Sequence, residues 1–139
     1  MPLSLNGRYR KGLIGVLIYD AIQALYSHLS KNLTLTVRDK IRESEILPYL
    51  AFGPIRTEPA DTRTRKGASL IQTLVFYSQA NGKRESIEAS EAVKDALETI
   101  IESEKVHFDK NEITRIYTFQ NTEQIYITEI DVEMQVEEV

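Results

Sequence analysis

Residues 68–79 read Ala68-Ser69-Leu70-Ile71-Gln72-Thr73-Leu74-Val75-Phe76-Tyr77-Ser78-Gln79. In an extended chain Leu70, Leu74 and Phe76 point one way, and Ile71, Val75 and Tyr77 point the other. A strand that is apolar on both faces has to be covered twice. Helices can cover one side, and a partner or a fold of the sheet the other. Asn81-Gly82 then marks a turn.

The flanking sequence supplies the covering elements. From Leu13 to about Ser30 the pattern is helical. Ile14, Leu17, Ile18, Ala21, Ile22, Leu25 and Leu29 share one face, with Asp20, Gln23, Ser27 and Lys31 opposite. Val16, Tyr19 and Tyr26 form a flank that reads as an extension of the core ahead of a contact with a neighbour. Residues 33–37 alternate with period two and favour a short strand. The polar run Arg38 to Glu45 leads to a second strand at Pro48-Tyr49-Leu50-Ala51-Phe52-Gly53, where Gly53-Pro54 signals a bulge. Thr57 to Gly67 holds no large apolar residue and reads as an exposed, mobile loop.

Downstream, Ser86 suits a helix N-cap, and the second helix is predicted to run to about Ser103. Its apolar stripe reads as Ile87, Val93, Ala96, Leu97, Ile100 and Ile101. Two strands follow, near 113–120 and 124–136, joined at Asn121-Thr122. In the last strand Tyr126, Ile130, Val132, Met134 and Val136 point one way. Asp131, Glu133, Gln135 and Glu137 point into water or toward a basic partner. The order α-β-β-loop-β-α-β-β predicts an α+β fold, an antiparallel β-sheet with two α-helices packed on it. It forms a single domain over 13–139, with a flexible basic N-terminal arm at 1–12 and a mobile loop near 57–67.

Composition narrows the chemistry. The 139 residues include no cysteine and two histidines, which removes disulfides, thiolate metal sites and multi-histidine centres. The formal charge of −4 argues against a generic nucleic-acid binder. That figure hides a division: residues 1–66 hold 11 Lys/Arg against 6 Asp/Glu, whereas residues 67–139 hold 6 against 15. The division reads either as a solvated acidic strand face or as opposite poles of one molecule that meet on neighbouring copies. The apolar run Leu13 to Tyr19 is far shorter than the roughly 20 residues of a membrane span.

Catalytic signatures are missing. There is no G-x-S-x-G elbow, and Gly82-Lys83 lacks both the upstream glycine and the Ser/Thr of a phosphate loop. Gly12-Leu13-Ile14-Gly15 opens an apolar helix and carries no cation between its glycines, unlike a single-strand RNA clamp. His28 lies beside Leu25 and Leu29 without a second ligand, and His107 follows the second helix; both read as structural or surface residues. No residue is therefore singled out as catalytic, cofactor-binding or metal-binding, and the chain reads as a non-enzyme without a cofactor. Arg56, Arg63, Arg65 and Lys66 form a basic cluster around the loop, able to approach an acidic protein face or a phosphate backbone.

The succession of Leu17-Ile18-Tyr19-Asp20-Ala21-Ile22, Pro48-Tyr49-Leu50-Ala51-Phe52-Gly53, a polar loop, the Leu70 to Tyr77 strand, an Ala89 to Leu97 helix and two terminal strands carries a resemblance. It resembles the tail-completion, or tail-terminator, proteins of long-tailed bacteriophages, also called head-to-tail joining proteins, from about Leu13 to Val136. The resemblance implies a virion protein, assembled in the bacterial host cytoplasm, that caps the finished tail tube as a hexameric ring. Its partners would be the tail tube protein and the head-connector protein, with DNA passing through the ring and no membrane involved. Arg56, Arg63, Arg65 and Lys66 would project toward the tube, connector or lumen, and Asp131 and Glu133 would face a subunit or a partner ring. Alternatives are a head-connector adaptor, a minor tail protein or a small nucleic-acid-binding module.

Overall fold

The computed structural model describes residues 13–60 and 66–139, with side chains in the first helix from Gly15 onward. The expected N-terminal arm over 1–12 and residues 61–65 of the expected loop lie outside the described residues. The elements run α1 (Leu13–Asn32), β1 (Val37–Arg38), β2 (Tyr49–Pro59), β3 (Gly67–Tyr77), α2 (Arg84–Leu97), β4 (Val106–Gln120) and β5 (Tyr126–Glu138). The strands form one sheet in the order β1-β2-β3-β5-β4, antiparallel throughout except for the β1–β2 pair. The α+β architecture is as predicted.

Both helices lie on one face of the sheet, here called the inner face. Leu17, Ala21, Leu25 and Leu29 of α1 are buried with Leu70, Leu74 and Phe76 of β3 and Ile130, Val132 and Met134 of β5. Ile18 and Ile22 pack against that cluster. Spacing of four along α1 puts one row of side chains onto the sheet. Of the expected flank only Tyr26 joins the core. Its ring meets Phe52 edge-on at 5.7 Å, and its hydroxyl donates to the Val37 carbonyl at 3.3 Å. Val16 and Tyr19 are 48% and 63% exposed instead.

Helix α2 departs from its expected face. Ser86 is not the N-cap but a buried residue of the first turn; the cap is Lys83, without a side-chain bond. The buried stripe is Ser86, Ala89, Ser90, Val93, Ala96 and Leu97, while Ile87 and Ile100 are exposed. Small residues let the helix backbone come close to the sheet, so the helix turns its seryl and alanyl row inward. The start of α2 is held by Glu85, whose Oε1 accepts from the Ser78 hydroxyl at 2.6 Å and from the Gln79 and Ala80 amides at 2.7 and 3.1 Å. At its end the Ala96 carbonyl lies 2.7 Å from His28 Nε2, so that nitrogen carries the proton and ties α1 to α2.

Several strand boundaries move, that of β5 from the expected 124–136 to Tyr126–Glu138. The strand expected over 33–37 is only Val37–Arg38, because Leu33 still closes the last helical turn through a 2.9 Å bond to the Leu29 carbonyl. Thr57–Pro59 and Gly67, expected in the loop, are strand, paired as Thr57↔Leu70, Glu58↔Ser69 and Pro59↔Ala68. Ala60 N–H donates to the Gly67 carbonyl at 2.9 Å and Glu138 N–H to the Lys66 carbonyl at 3.0 Å, closing the stem from two sides. Strand β4 starts at Val106 rather than near 113, so His107 lies within the sheet and not at a helix exit.

The bulge foreseen at Gly53-Pro54 is present as a register shift between Phe52 and Ile55. A Cβ on Gly53 would sit 3.0 Å from Val75 Cγ2 and 3.3 Å from the Thr73 carbonyl oxygen, so a side chain there would crowd β3. Gln72, buried on the inner face, donates to the Gly53 and Thr73 carbonyls at 3.0 and 2.9 Å. A buried amide is tolerated because the bulge leaves acceptors for it.

Leu25 and Ile100 both belong to predicted apolar stripes, yet Leu25 is fully buried and Ile100 is 83% exposed. Leu25→Ala is expected to cost about 2–5 kcal/mol in denaturant unfolding. Ile100→Ala should change stability by less than about 0.5 kcal/mol.

Candidate functional site

The face of the sheet away from the helices gathers three of the six charged candidates, Arg56, Asp131 and Glu133. Alternation along β5 places Glu129, Asp131, Glu133, Gln135 and Glu137 on it. Strand β3 contributes Ile71, Thr73, Val75 and Tyr77; β2 contributes Arg56 and Glu58; β4 contributes Lys110, Glu112, Arg115, Tyr117 and Phe119. The second covering expected for β3 is partial: Val75 is buried, while Ile71, Thr73 and Tyr77 are half-buried.

Asp131 is the hub of this face. Its Oδ1 accepts from the Thr73 hydroxyl at 2.7 Å, and its Oδ2 accepts from Arg115 Nε at 2.8 Å. Arg115 Nη2 reaches Glu129 at 2.9 Å, so one guanidinium links two acids of β5 and β4 is fastened through β5 to β3. Burial pushes the Asp131 carboxyl up, but the bonds from Arg115 and Thr73, with the charges of Arg115 and Arg56, hold it below the ordinary carboxylate value. Arg115 is correspondingly raised by its bonds to Asp131 and Glu129. Lys110 lies between Glu112 and Glu133, at 3.6 and 3.8 Å.

The six predicted surface residues therefore divide. Arg56, Asp131 and Glu133 share the outer face, and the field of Arg56 reaches Asp131. Lys66 sits at the end of β3, where its N–H donates to Glu138 Oε2 at 3.1 Å. Arg63 and Arg65 lie outside the described residues. Both Asp131 oxygens are engaged within the chain, where they tie β5 to β3 and β4.

Sequence reading missed the aromatic part of the surface. Tyr117 stacks under Arg115, 5.8 Å from ring centroid to guanidinium carbon, and Phe119 lies 5.3 Å beyond. Tyr49, itself buried, and the half-buried Tyr77 stack at 4.8 Å on the same face. The alternation Arg115, Tyr117, Phe119 was the available signal. Between α2 and β4 lies a groove of about 420 Å³ lined by Ser90, Glu91, Lys94, Leu97, Glu98, Asn111, Glu112, Ile113 and Ile116. Its one hydroxyl, Ser90 Oγ, donates to the Ser86 carbonyl at 3.0 Å. Among the described residues no group of three or more His, Asp or Glu is arranged to hold a metal, and no helix is long and apolar enough to cross a membrane.

Comparisons with known proteins extend this picture. The family model described as tail completion protein gp17 matches residues 20–127. A chain from the virion of a native gene transfer agent particle superposes with a TM-score of 0.75, covering 87% of this chain and 97% of that one. The two are 19% identical, so the likeness is one of fold. No curated protein matches the chain in sequence.

The depressed carboxyls give a signed prediction. Asp131, Glu85 and Glu45 titrate below their unfolded values, so the stability they add is complete above the ordinary carboxylate range and is lost as pH falls through the folded values. Denaturation midpoints should drop as pH falls from about 5 to about 3. Asp131→Asn should make that fall shallower, and an unchanged slope would show that Asp131 carries none of it.

Proposed function

This chain belongs to the tail completion protein gp17 family, and on that footing we propose that it closes the head-proximal end of a tail tube as a ring and joins it to the head connector. Its role is structural, in assembly of a phage tail. The observation that carries the proposal is the family match over residues 20–127, which spans both helices' cores and all five strands in whole or part. The fold shared with a chain of a gene transfer agent virion agrees with a place in the particle.

In this reading the ring is a hexamer of identical chains in heterologous contact, one face of each subunit meeting a different face of the next. Its partners are the tail tube protein on one side and the connector protein on the other, and DNA passes through its lumen. The protein works through surfaces: the outer sheet face is rich in acids with a few placed cations, and its aromatic rings supply area at low entropic cost. Arg56, Arg63, Arg65 and Lys66 project from the ring toward the tube, the connector or the lumen. Glu133 contributes to contacts between subunits or with a partner ring, while Asp131 supports that surface from beneath. Assembly takes place in the host cytoplasm and the protein stays in the virion.

Electron microscopy of the protein mixed with purified tail tubes tests the placement. Density at the head-proximal tip is expected; binding to capsids alone would move the protein to a connector-adaptor role. The combined variant Arg63→Ala, Arg65→Ala and Lys66→Ala should fold normally and yield tails that fail to join heads. Normal virion yield from that variant would remove the basic cluster from the interface.

A further inference from the structure

Among the described residues the sheet has two open edges. At one end β1 pairs with β2 only at Leu50 and Ala51, so Ile55 to Pro59 has no strand on that side. At the other end β4 is the last strand along its whole length. Open edges invite pairing with another chain unless they are blunted.

The backbone groups available at each edge follow from the ladder. Ala60 and Gly67 form a hydrogen-bonded pair, so alternation along β2 aims the N–H and C=O of Ile55 and Thr57 outward. Asn121 and Ile125 form another, and alternation along β4 aims those of Ile116 and Thr118 outward. All four side chains lie on the inner face. Ile55 and Ile116 are 41% and 52% exposed, two β-branched residues at opposite ends of one sheet with no strand beside them among the described residues.

We propose that these edges join: β4 of one copy pairs with β2 of the next, so that the sheet continues from subunit to subunit. The inference rests on the ring reading above and names the contact that builds the ring. Within one sheet β2 runs antiparallel to β4, through β3 and β5, so the new pair is antiparallel. Face matching leaves three nearby registers, and the one with Thr57 opposite Thr118 would set Pro59, which offers no N–H, against the regular ladder at Ile116. Placing Ile55 opposite Ile116 would set Arg56 against Arg115, and like charges across a strand pair are unfavourable. Placing Thr57 opposite Ile116 instead sets Arg56 against Tyr117 and Glu58 against Arg115, both favourable pairs. Arg115 uses Nε and Nη2 within its own subunit and keeps Nη1 for the neighbour. The same register brings Pro59, which has no N–H, opposite Thr114, the residue skipped by the β4 register shift between Ile113 and Arg115. The proline thus falls where the partner strand is already irregular.

The cysteine-free sequence makes the contact directly readable. Residues 56 and 117 would form a non-hydrogen-bonded pair of the new ladder with Cα atoms about 4.5 Å apart, within disulfide range. The variant Arg56→Cys with Tyr117→Cys, assembled on purified tail tubes and oxidised, should give a ladder of linked subunits that collapses to monomer on reduction. Arg56→Cys with Ile116→Cys, whose side chains would lie on opposite faces, should give none. Ile116→Lys changes a half-exposed side chain, so the subunit should keep its melting temperature and lose the ring. Rings seen by electron microscopy without the 56–117 link, or formed normally by Ile116→Lys, would overturn the edge pairing and leave the ring itself standing. Tail tips that bind this chain without any ring would overturn both.

Discussion

The β3–β5 ladder sets the rest of the structure. It runs without a register shift from Gly67↔Glu137 to Tyr77↔Ile127, whereas β2 and β4 on either side both contain shifts. A slip of one residue would carry Ile130, Val132 and Met134 into water and bring Asp131 and Glu133 under the helices. Each buried side chain of that size is worth about 1.5–3 kcal/mol, so the penalty for slipping is steep. The outer strands adapt to this fixed pair by bulging, and the helices settle on the face that it presents.

Periodicity made the centre of the fold legible. The two apolar faces of β3, the alternation of β5 and the stripe of α1 all follow from spacing alone, because these elements are regular and well covered. Strand β4 was read seven residues short because its two register shifts, after Phe108 and after Ile113, break the period of two. Thr57–Pro59 offers no apolar cue, and becomes strand only because β3 extends opposite it. In α2, hydropathy favours Ile87, while packing favours Ser86, Ala89 and Ser90, whose size admits the sheet. Local preference and tertiary fit point in different directions there, and fit prevails.

The surface was legible in kind but not in pairing. Asp131 and Glu133 do face away from the helices, and Arg56 joins them. What spacing could not reveal is that Arg115 and Lys110 come to lie across from those acids, since the register of β4 depends on where it bulges. Among the described residues, Arg56 of the basic first half shares one face with the acids of the second half. Cations of β2 and β4 flank the acids of β5, leaving a mixed surface whose order is set by strand register.

The stem that carries residues 61–65 is closed by Ala60 on one side and by Glu138 on the other, and both clamps use backbone groups. Main-chain bonds of this kind are indifferent to the side chains between them. The register of β2 against β3 is thus held by bonds that lie outside that segment. Sequence change within 61–65 and constancy of the sheet are, on that account, separate matters.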